Sequence, residues 1–347
     1  MKKIIAVIAA SMATAYASHY LFHLPVLTFF TSAAALIFLS KVLGDATEHL
    51  SDHLGGQLAG LINVTLSNLA ELIIIYVAVS KNMIDLVQAG IAGSIMGNLL
   101  LVMGVSIYFG CRKNGLLQYN QAMAWLQLKM LFLVCATLFL PTLFNDHISE
   151  IGQVDLSYIL ALMLPCAYIY FYRLSMTDKR FKEVREQSEK KMGEDWSTGF
   201  SFFVITLAAV GAFLMSELLV GEVESVAPSL GLSTGFVGFI LIPILGNIAE
   251  HFVAVVAARK GMTELSLSIA VGSASQVGMV VAPAAVLFGV ISGNPVTLHF
   301  AGLPLGAVIA TFFATLLVLH DDKWEISEGV MLLALYFAIM VCFLFTS

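Results

Sequence analysis

Charged residues are scarce in this chain. Only 12% of its 347 residues are Asp, Glu, Lys or Arg, about half the share an ordinary soluble domain carries. That excludes a conventional solvated surface over most of the polypeptide. Cysteine is thin as well: Cys111, Cys135, Cys166 and Cys342 are scattered, with no CxxC spacing. The pattern predicts neither a disulfide framework nor a zinc site, and the three cysteines within apolar runs (Cys135, Cys166 and Cys342) read as small buried hydrophobes. A basic excess is also missing. The net charge is −6, so nothing in the composition points to a nucleic-acid partner.

What the chain has instead is apolar length. Hydrophobic residues make up 59% of it, and long apolar runs cover approximately 4–22, 25–43, 57–79, 84–109, 122–144, 154–174, 199–220, 235–258, 264–291, 297–319 and 328–346. A hydrocarbon core about 30 Å thick needs about 20 such residues per helix. The runs therefore predict an all-α polytopic membrane protein of about eleven transmembrane helices, with the lipid bilayer as its partner; a homo-oligomer stays open. Lys2-Lys3, the apolar run that follows and Ala15-Tyr16-Ala17 also fit a cleavable secretory signal, but a retained first helix is the favoured reading.

Basic residues orient the spans. Lys2 and Lys3, Lys41, Arg112 and Lys113, Arg173 to Lys191, Arg259 and Lys260, and Lys323 fall on one side. Lys81 falls on the other, and Lys129 lies within a span. Positive residues mark the cytoplasmic face. The expectation is an N-terminus inside, a C-terminus outside, and a multi-pass protein of a prokaryotic cytoplasmic membrane.

Sliding the sequence by 179 positions aligns residues 66–110 with 245–289 without a gap. Leu66, Asn68, Ala70, Glu71, Val77, Ala78, Lys81, Met83, Leu86, Gly93, Ser94, Val102, Phe109 and Gly110 all recur, and Asp85 becomes Glu264. Shared apolar composition does not put Asn, Glu, Lys and Gly-Ser in register, so this is a duplication. Five helices per copy is an odd number, which inverts the second copy in the membrane. The expected organisation is an extra helix over 1–24, a first five-helix repeat over 25–174, a cytoplasmic connector over 175–198 and an inverted repeat over 199–347. The connector balances six acidic against six basic residues and reads as solvated and partly helical.

The duplication carries the chemistry. Glu71 and Glu250 lie inside apolar runs, in the matched phrases Asn68-Leu69-Ala70-Glu71 and Asn247-Ile248-Ala249-Glu250. An ionisable residue at membrane depth costs at least about 2.5–3.5 kcal/mol and is a functional hypothesis by default. One intramembrane Asn or Glu is often interhelical glue; two in matched frames point to a midplane site between inverted repeats. At a spacing of three, each Asn–Glu pair shares a helix face. The next span of each half adds Ser94 with Asn98, and Ser273 with Gln276. Two carboxylates among neutral oxygens suit a hard divalent cation such as Ca²⁺. Neither thiolate nor paired histidine accompanies the glutamates, which argues against a soft transition metal. His251 is read as a packing residue or a proton-handling neighbour. Without a cation, burial and mutual repulsion favour protonated carboxyls; a divalent ion expels those protons. Glu71 and Glu250 are thus the expected proton-coupling groups of an antiporter, with no cofactor.

With these residues in place, the chain resembles the Ca²⁺/cation–proton exchangers of the cation/Ca²⁺ exchanger superfamily. Ser67-Asn68-Leu69-Ala70-Glu71 with Gly93-Ser94-Ile95-Met96-Gly97-Asn98 is similar to that family's first repeat motif. Pro243-Ile244-Leu245-Gly246-Asn247-Ile248-Ala249-Glu250-His251 with Gly272-Ser273-Ala274-Ser275-Gln276 is similar to its second. The resemblance implies a one-plus-five-plus-five helix fold and exchange of cytosolic Ca²⁺ for external H⁺ by alternating access. It implies Glu71 and Glu250 as the central acids, with Asn68, Asn247, Ser94, Ser273, Asn98 and Gln276 at the polar positions. Sodium-driven relatives usually carry proline before the acidic residue; Ala70 and Ala249 stand there, which favours the proton-coupled branch, and a same-fold exchanger of other ions (Na⁺/Ca²⁺ or Mn²⁺/H⁺) is the alternative. An intramembrane hydrolase is a remote alternative, since no nucleophile motif accompanies the acids.

A last cluster lies between the second and third runs: Asp45, Glu48, His49, Asp52 and His53. Glu48/Asp52 and His49/His53 are spaced to adjoin on a helix. They are expected at a cytoplasmic mouth that attracts cations and responds to pH. Gly221-Glu222-Val223-Glu224 occupies a similar place on the other side.

Overall fold

The structure is a computed structural model describing residues 2–54, 66–144, 147–178, 196–300 and 302–345. Among the described residues there are eleven helices: α1 (Lys2–Tyr20), α2 (Pro25–Leu54), α3 (Leu69–Ser80), α4 (Ile84–Asn114), α5 (Gln121–Leu143), α6 (Glu150–Thr177), α7 (Thr198–Ser229), α8 (Thr234–Arg259), α9 (Thr263–Ser292), α10 (Gly302–Val318) and α11 (Ile326–Phe345). Eight are long and apolar enough to cross a membrane, and α3 and α10 are shorter apolar helices. The connector at 179–195 lies outside the described residues, so its expected helicity and charge pairing do too.

Serine and asparagine open several helices by accepting an orphan backbone N–H: Asn120 from Met123 (3.0 Å), Ser149 from Gly152 (3.2 Å) and Ser197 from Phe200 (3.3 Å). Gly293 ends α9 in the left-handed conformation at φ 73°. Three apolar runs are misjudged by hydropathy alone. The second helix does not stop near residue 43 but runs on to Leu54, so Lys41 and the cluster from Asp45 lie on helix rather than in a loop. The third is not one continuous helix: Leu66 and Ser67 are helical, a turn falls at Asn68 (φ −90°, ψ 12°), and α3 begins at Leu69. The tenth starts at Gly302 (φ 67°) rather than near 297, leaving 294–300 outside any helix.

The backbone repeats as the sequence does. α3 ends at Ser80 and α8 at Arg259; α4 starts at Ile84 and α9 at Thr263. Each pair is 179 positions apart. α4 turns π-helical at Gly97–Val102 and α9 at Val277–Val281, so even the irregular turn recurs. α8 carries another π segment at Val237–Leu241. Single π turns inside α-helices gather at functional sites.

Polar contacts between loops stitch distant parts of the chain at both ends of the bundle. At one end β1 (Leu117–Gln118) pairs antiparallel with β2 (Lys323–Trp324), and Asn114 Nδ2 donates to the carbonyls of Ala258 (3.2 Å) and Arg259 (3.3 Å). The Asn120 N–H donates to Glu264. At the other end Asn294 Nδ2 donates to Val79 O (2.9 Å), Gln88 to Thr297 O (3.1 Å), and Ser157 Oγ accepts from Leu298 N–H (3.0 Å). Trp324 is fully buried in the first of these seams, against Tyr119 with ring centroids 5.7 Å apart. Trp324→Ala is expected to cost about 3–5 kcal/mol, read as a lowered thermal midpoint of the purified protein.

α2 and α7 pack along their length, with α1 against α2. Ser18 and Thr28 hydroxyls meet at 2.9 Å, and His19 Nδ1 meets Glu222 Oε1 at 2.7 Å. A Lys81–Glu217 ion pair at 3.6 Å ties this trio to the turn after α3. Cys111 and Cys135 are buried, whereas Cys166 and Cys342 are exposed, contrary to their reading as buried hydrophobes. Both stand on helix faces that the rest of the chain does not cover; that placement is invisible to hydropathy.

Candidate cation site

One close approach and one ordinary contact bring α8 to α3 and α4. Gly93 on α4 lies so near the π segment of α8 that a Cβ there would stand 1.9 Å from Phe239 O. A Cβ on Gly246 would lie 3.9 Å from Glu71 Cβ. Glycine at position 93 lets α8 slot against α4, whereas a methyl at position 246 would make only an ordinary contact with α3.

Each asparagine then reaches into the other half. Asn68 Nδ2 donates to Gln276 Oε1 at 2.7 Å, and Asn247 Nδ2 donates to Ser94 Oγ at 3.1 Å. Asn68 sits in a turn rather than on the helix with Glu71, and from there it still reaches the second half through Gln276. Ser94 and Asn247 both lie against the Glu71 carboxyl, and Glu250 is close to it. Ser273 Oγ donates to Glu250 Oε2 at 2.8 Å. Glu71 is buried at 5% exposure and Glu250 is half-buried.

The satisfied bonds are fewer than the polar atoms. Glu71 Oε2 and both amide atoms of Asn98 are buried without a hydrogen-bond partner among the described residues. No basic side chain pairs with either glutamate among them. A buried carboxylate left without a counter-charge is strongly disfavoured. The donor set of carboxylate, hydroxyl and amide oxygens is that of a hard cation.

Glu71 therefore lies with Ser94, Asn247 and Glu250, Glu250 with Ser273, and Asn68 with Gln276. Asn98 is buried in the π segment of α4 without a bond to them. His251 is half-buried and makes no hydrogen bond to the cluster among the described residues. Tyr168, on α6, is a neighbour that sequence reasoning missed: its side chain lies near that of Gln276. A lone tyrosine in an apolar run, with no counterpart in the other repeat, carries no signal that would single it out.

The second cluster is arranged differently from an open mouth. Asp45 pairs with Lys41 at 3.2 Å. The His49 ring stacks on Trp196 with centroids 4.7 Å apart, and a His53 ring nitrogen meets Trp196 O. Glu48 is exposed, and the Asp52 side chain lies outside the described residues. Both histidines are thus engaged by the start of the segment leading into α7. On the opposite side Glu222 is held by His19 and Ser225.

The model of the family described as sodium/calcium exchanger protein matches residues 24–177 and 200–345. A Ca²⁺/H⁺ antiporter of Aphanothece halophytica is 34% identical over 344 residues, covering 94% of this chain and 92% of that protein. A Ca²⁺/H⁺ antiporter of a Synechocystis species is 32% identical over 366 residues, covering 99% and 97%. Among solved structures, native YfkE superposes with a TM-score of 0.85 at 27% identity, over 98% of this chain and 99% of that one.

Proposed function

The chain belongs to the sodium/calcium exchanger protein family, and from that premise we propose that it exchanges Ca²⁺ for H⁺ through the two-glutamate cluster. It is an integral multi-pass membrane protein and a transporter rather than an enzyme. Cytosolic Ca²⁺ leaves against entering protons, with Glu71 and Glu250 as the groups that hold either. The observation that carries the reading is a pair of carboxyls from matched frames, without basic partners, among neutral oxygens. Asn68, Asn247, Ser94, Ser273 and Gln276 supply those oxygens, and the unbonded amide of Asn98, one turn along α4 from Ser94, is a further candidate. The Ca²⁺/H⁺ antiporters similar to this chain support the choice of ions.

The coupling follows from charge. A divalent cation neutralises both carboxylates, and protons neutralise them one at a time, so the two occupancies exclude each other. Apparent Ca²⁺ affinity must fall as pH falls. The element ends that recur after 179 residues support two inverted five-helix halves over 25–174 and 199–347, with α1 outside them. Rearrangement of one part against the other exposes the site to each side in turn. The seam with β1 and β2 carries Arg112, Lys113, Arg259, Lys260 and Lys323, which supports reading it as the cytoplasmic face, with the N-terminus inside.

Inverted vesicles test this: an imposed pH gradient drives Ca²⁺ uptake in sodium-free buffer. Strict dependence on a sodium gradient contradicts the reading. Ser94→Ala and Ser273→Ala each remove one neutral oxygen and one hydrogen bond, so each is expected to raise the Ca²⁺ KM about 2–10-fold, measured in the same assay.

A further inference from the structure

Lys129 stands where a lone charge is costly. α5 is an apolar helix of 23 residues, long enough to cross a hydrocarbon core of about 30 Å. At about 1.5 Å per residue, Lys129 lies about 12 Å from its start and about 21 Å from its end. Lys129 is exposed, and so are Trp125, Phe132 and Phe139. Their spacing of four, three and seven puts them on one stripe of the helix. Apart from Lys129 that stripe is aromatic, and the rest of the chain leaves it open to the bilayer. A cation on such a face is rare unless an opposite charge meets it.

The chain supplies none. Lys129 has no hydrogen bond or ion pair among the described residues. The helices packed on α5 are α6, α9 and α10. α10 contains no acidic residue, and Glu150 and Asp155 of α6 stand at its start, toward the far end of the bundle. Glu264, the acidic residue of α9, accepts from the Asn120 N–H. The counter-charge therefore comes from outside the chain.

A lysine stem is long enough to lie along the helix and carry its ammonium toward the nearer surface, here the side of β1 and β2. One turn closer to that surface is Trp125, whose indole offers an apolar ring and one N–H donor. α10 runs beside this stripe. Gln121 Nε2 donates to His320 O at 3.0 Å, and Phe132 meets Phe312 with ring centroids 5.9 Å apart. Between those two contacts Phe313 and Leu317 of α10 are also exposed. We infer that Lys129 and Trp125 bind the phosphate of an anionic phospholipid in the leaflet on the β1–β2 side, its acyl chains lying over Phe132, Phe313 and Leu317. A zwitterionic headgroup brings its own cation to the phosphate and leaves less charge for the lysine, so the anionic lipid is preferred. The site is separate from the two glutamates and needs no transported ion.

The purified full chain in detergent, given phosphatidylglycerol or phosphatidylcholine of matched acyl chains, tests the site, with native mass spectrometry counting the lipids retained. The protein is expected to hold phosphatidylglycerol about 5–10-fold more tightly than phosphatidylcholine. Lys129→Met removes the charge at similar length and should reduce that preference to less than about twofold, whereas Lys129→Arg should keep it. Trp125→Phe keeps a ring but loses the N–H, and should weaken phosphatidylglycerol retention about 2–5-fold. Lys129→Met should fold with an unchanged or raised thermal midpoint, since it takes a charge off an apolar face. A preference undiminished in Lys129→Met overturns the proposal, as does equal retention of the two lipids by the unmodified chain. An oligomer that dissociates in Lys129→Met while the lipid preference stays the same also overturns it, in favour of a contact with a second copy.

Discussion

Glu71→Gln is expected to reduce proton-driven Ca²⁺ uptake at least about 100-fold while the protein stays folded. Glutamine keeps the volume of the side chain and one carbonyl oxygen, so the neighbours Ser94 and Asn247 retain something to contact. What it loses is the charge that pairs with a divalent ion and the proton that leaves when the ion arrives. Removing one partner of a buried charge pair costs about 3–5 kcal/mol, a factor of at least about 100 in binding. Stability should hold or rise, because a buried carboxylate without a basic partner is a burden on the fold. Glu250→Gln should also silence transport; its Ser273 bond survives in neutral form. Uptake into proteoliposomes, paired with thermal unfolding of each variant, checks the prediction. Normal exchange by both single variants removes the glutamates from the mechanism.

The second large effect belongs to Gly93. An alanine Cβ there would stand 1.9 Å from Phe239 O and 2.6 Å from Phe239 C. Those are backbone atoms, so no side-chain rotation relieves the overlap, and α8 must move away from α4. Overpacking ordinarily costs about 1–3 kcal/mol; a backbone clash of this depth belongs above that range. The displacement would also part Asn247 from Ser94, now 3.1 Å apart. Gly93→Ala is expected to lower yield and thermal stability and to abolish exchange. Gly306 on α10 is exposed, and a methyl added there would meet nothing within 4 Å, so Gly306→Ala should be neutral or stabilise by up to about 1 kcal/mol. Equal behaviour of the two variants would mean that Gly93 does not mark a close approach.

Hydropathy and repetition made most of this architecture legible, because bilayer thickness sets helix length and a duplication leaves identical polar residues in register. The eleven helices follow the apolar runs, and Asn68, Glu71, Asn247 and Glu250 were marked by cost and recurrence. The irregular features were not legible. Nothing in Leu66-Ser67-Asn68-Leu69 announces a break, since it contains neither proline nor glycine; the turn there accompanies a tertiary bond from Asn68 to Gln276. The extension of α2 beyond Gly44 was hidden because its residues turn polar while remaining helical. The approach of Gly93 to Phe239 joins positions far apart in sequence. Tyr168 was invisible for the same reason, with no counterpart in the other repeat to expose it.

The central claim is that Ca²⁺ and protons compete for the same two carboxyls. Proton release on adding Ca²⁺ to purified protein in weakly buffered detergent solution tests it directly, without a membrane gradient. The account predicts acidification that saturates with Ca²⁺, shrinks as the starting pH is raised and disappears in the Glu71→Gln, Glu250→Gln double variant. Saturable Ca²⁺ binding with no proton release, or undiminished release from the double variant, would contradict it.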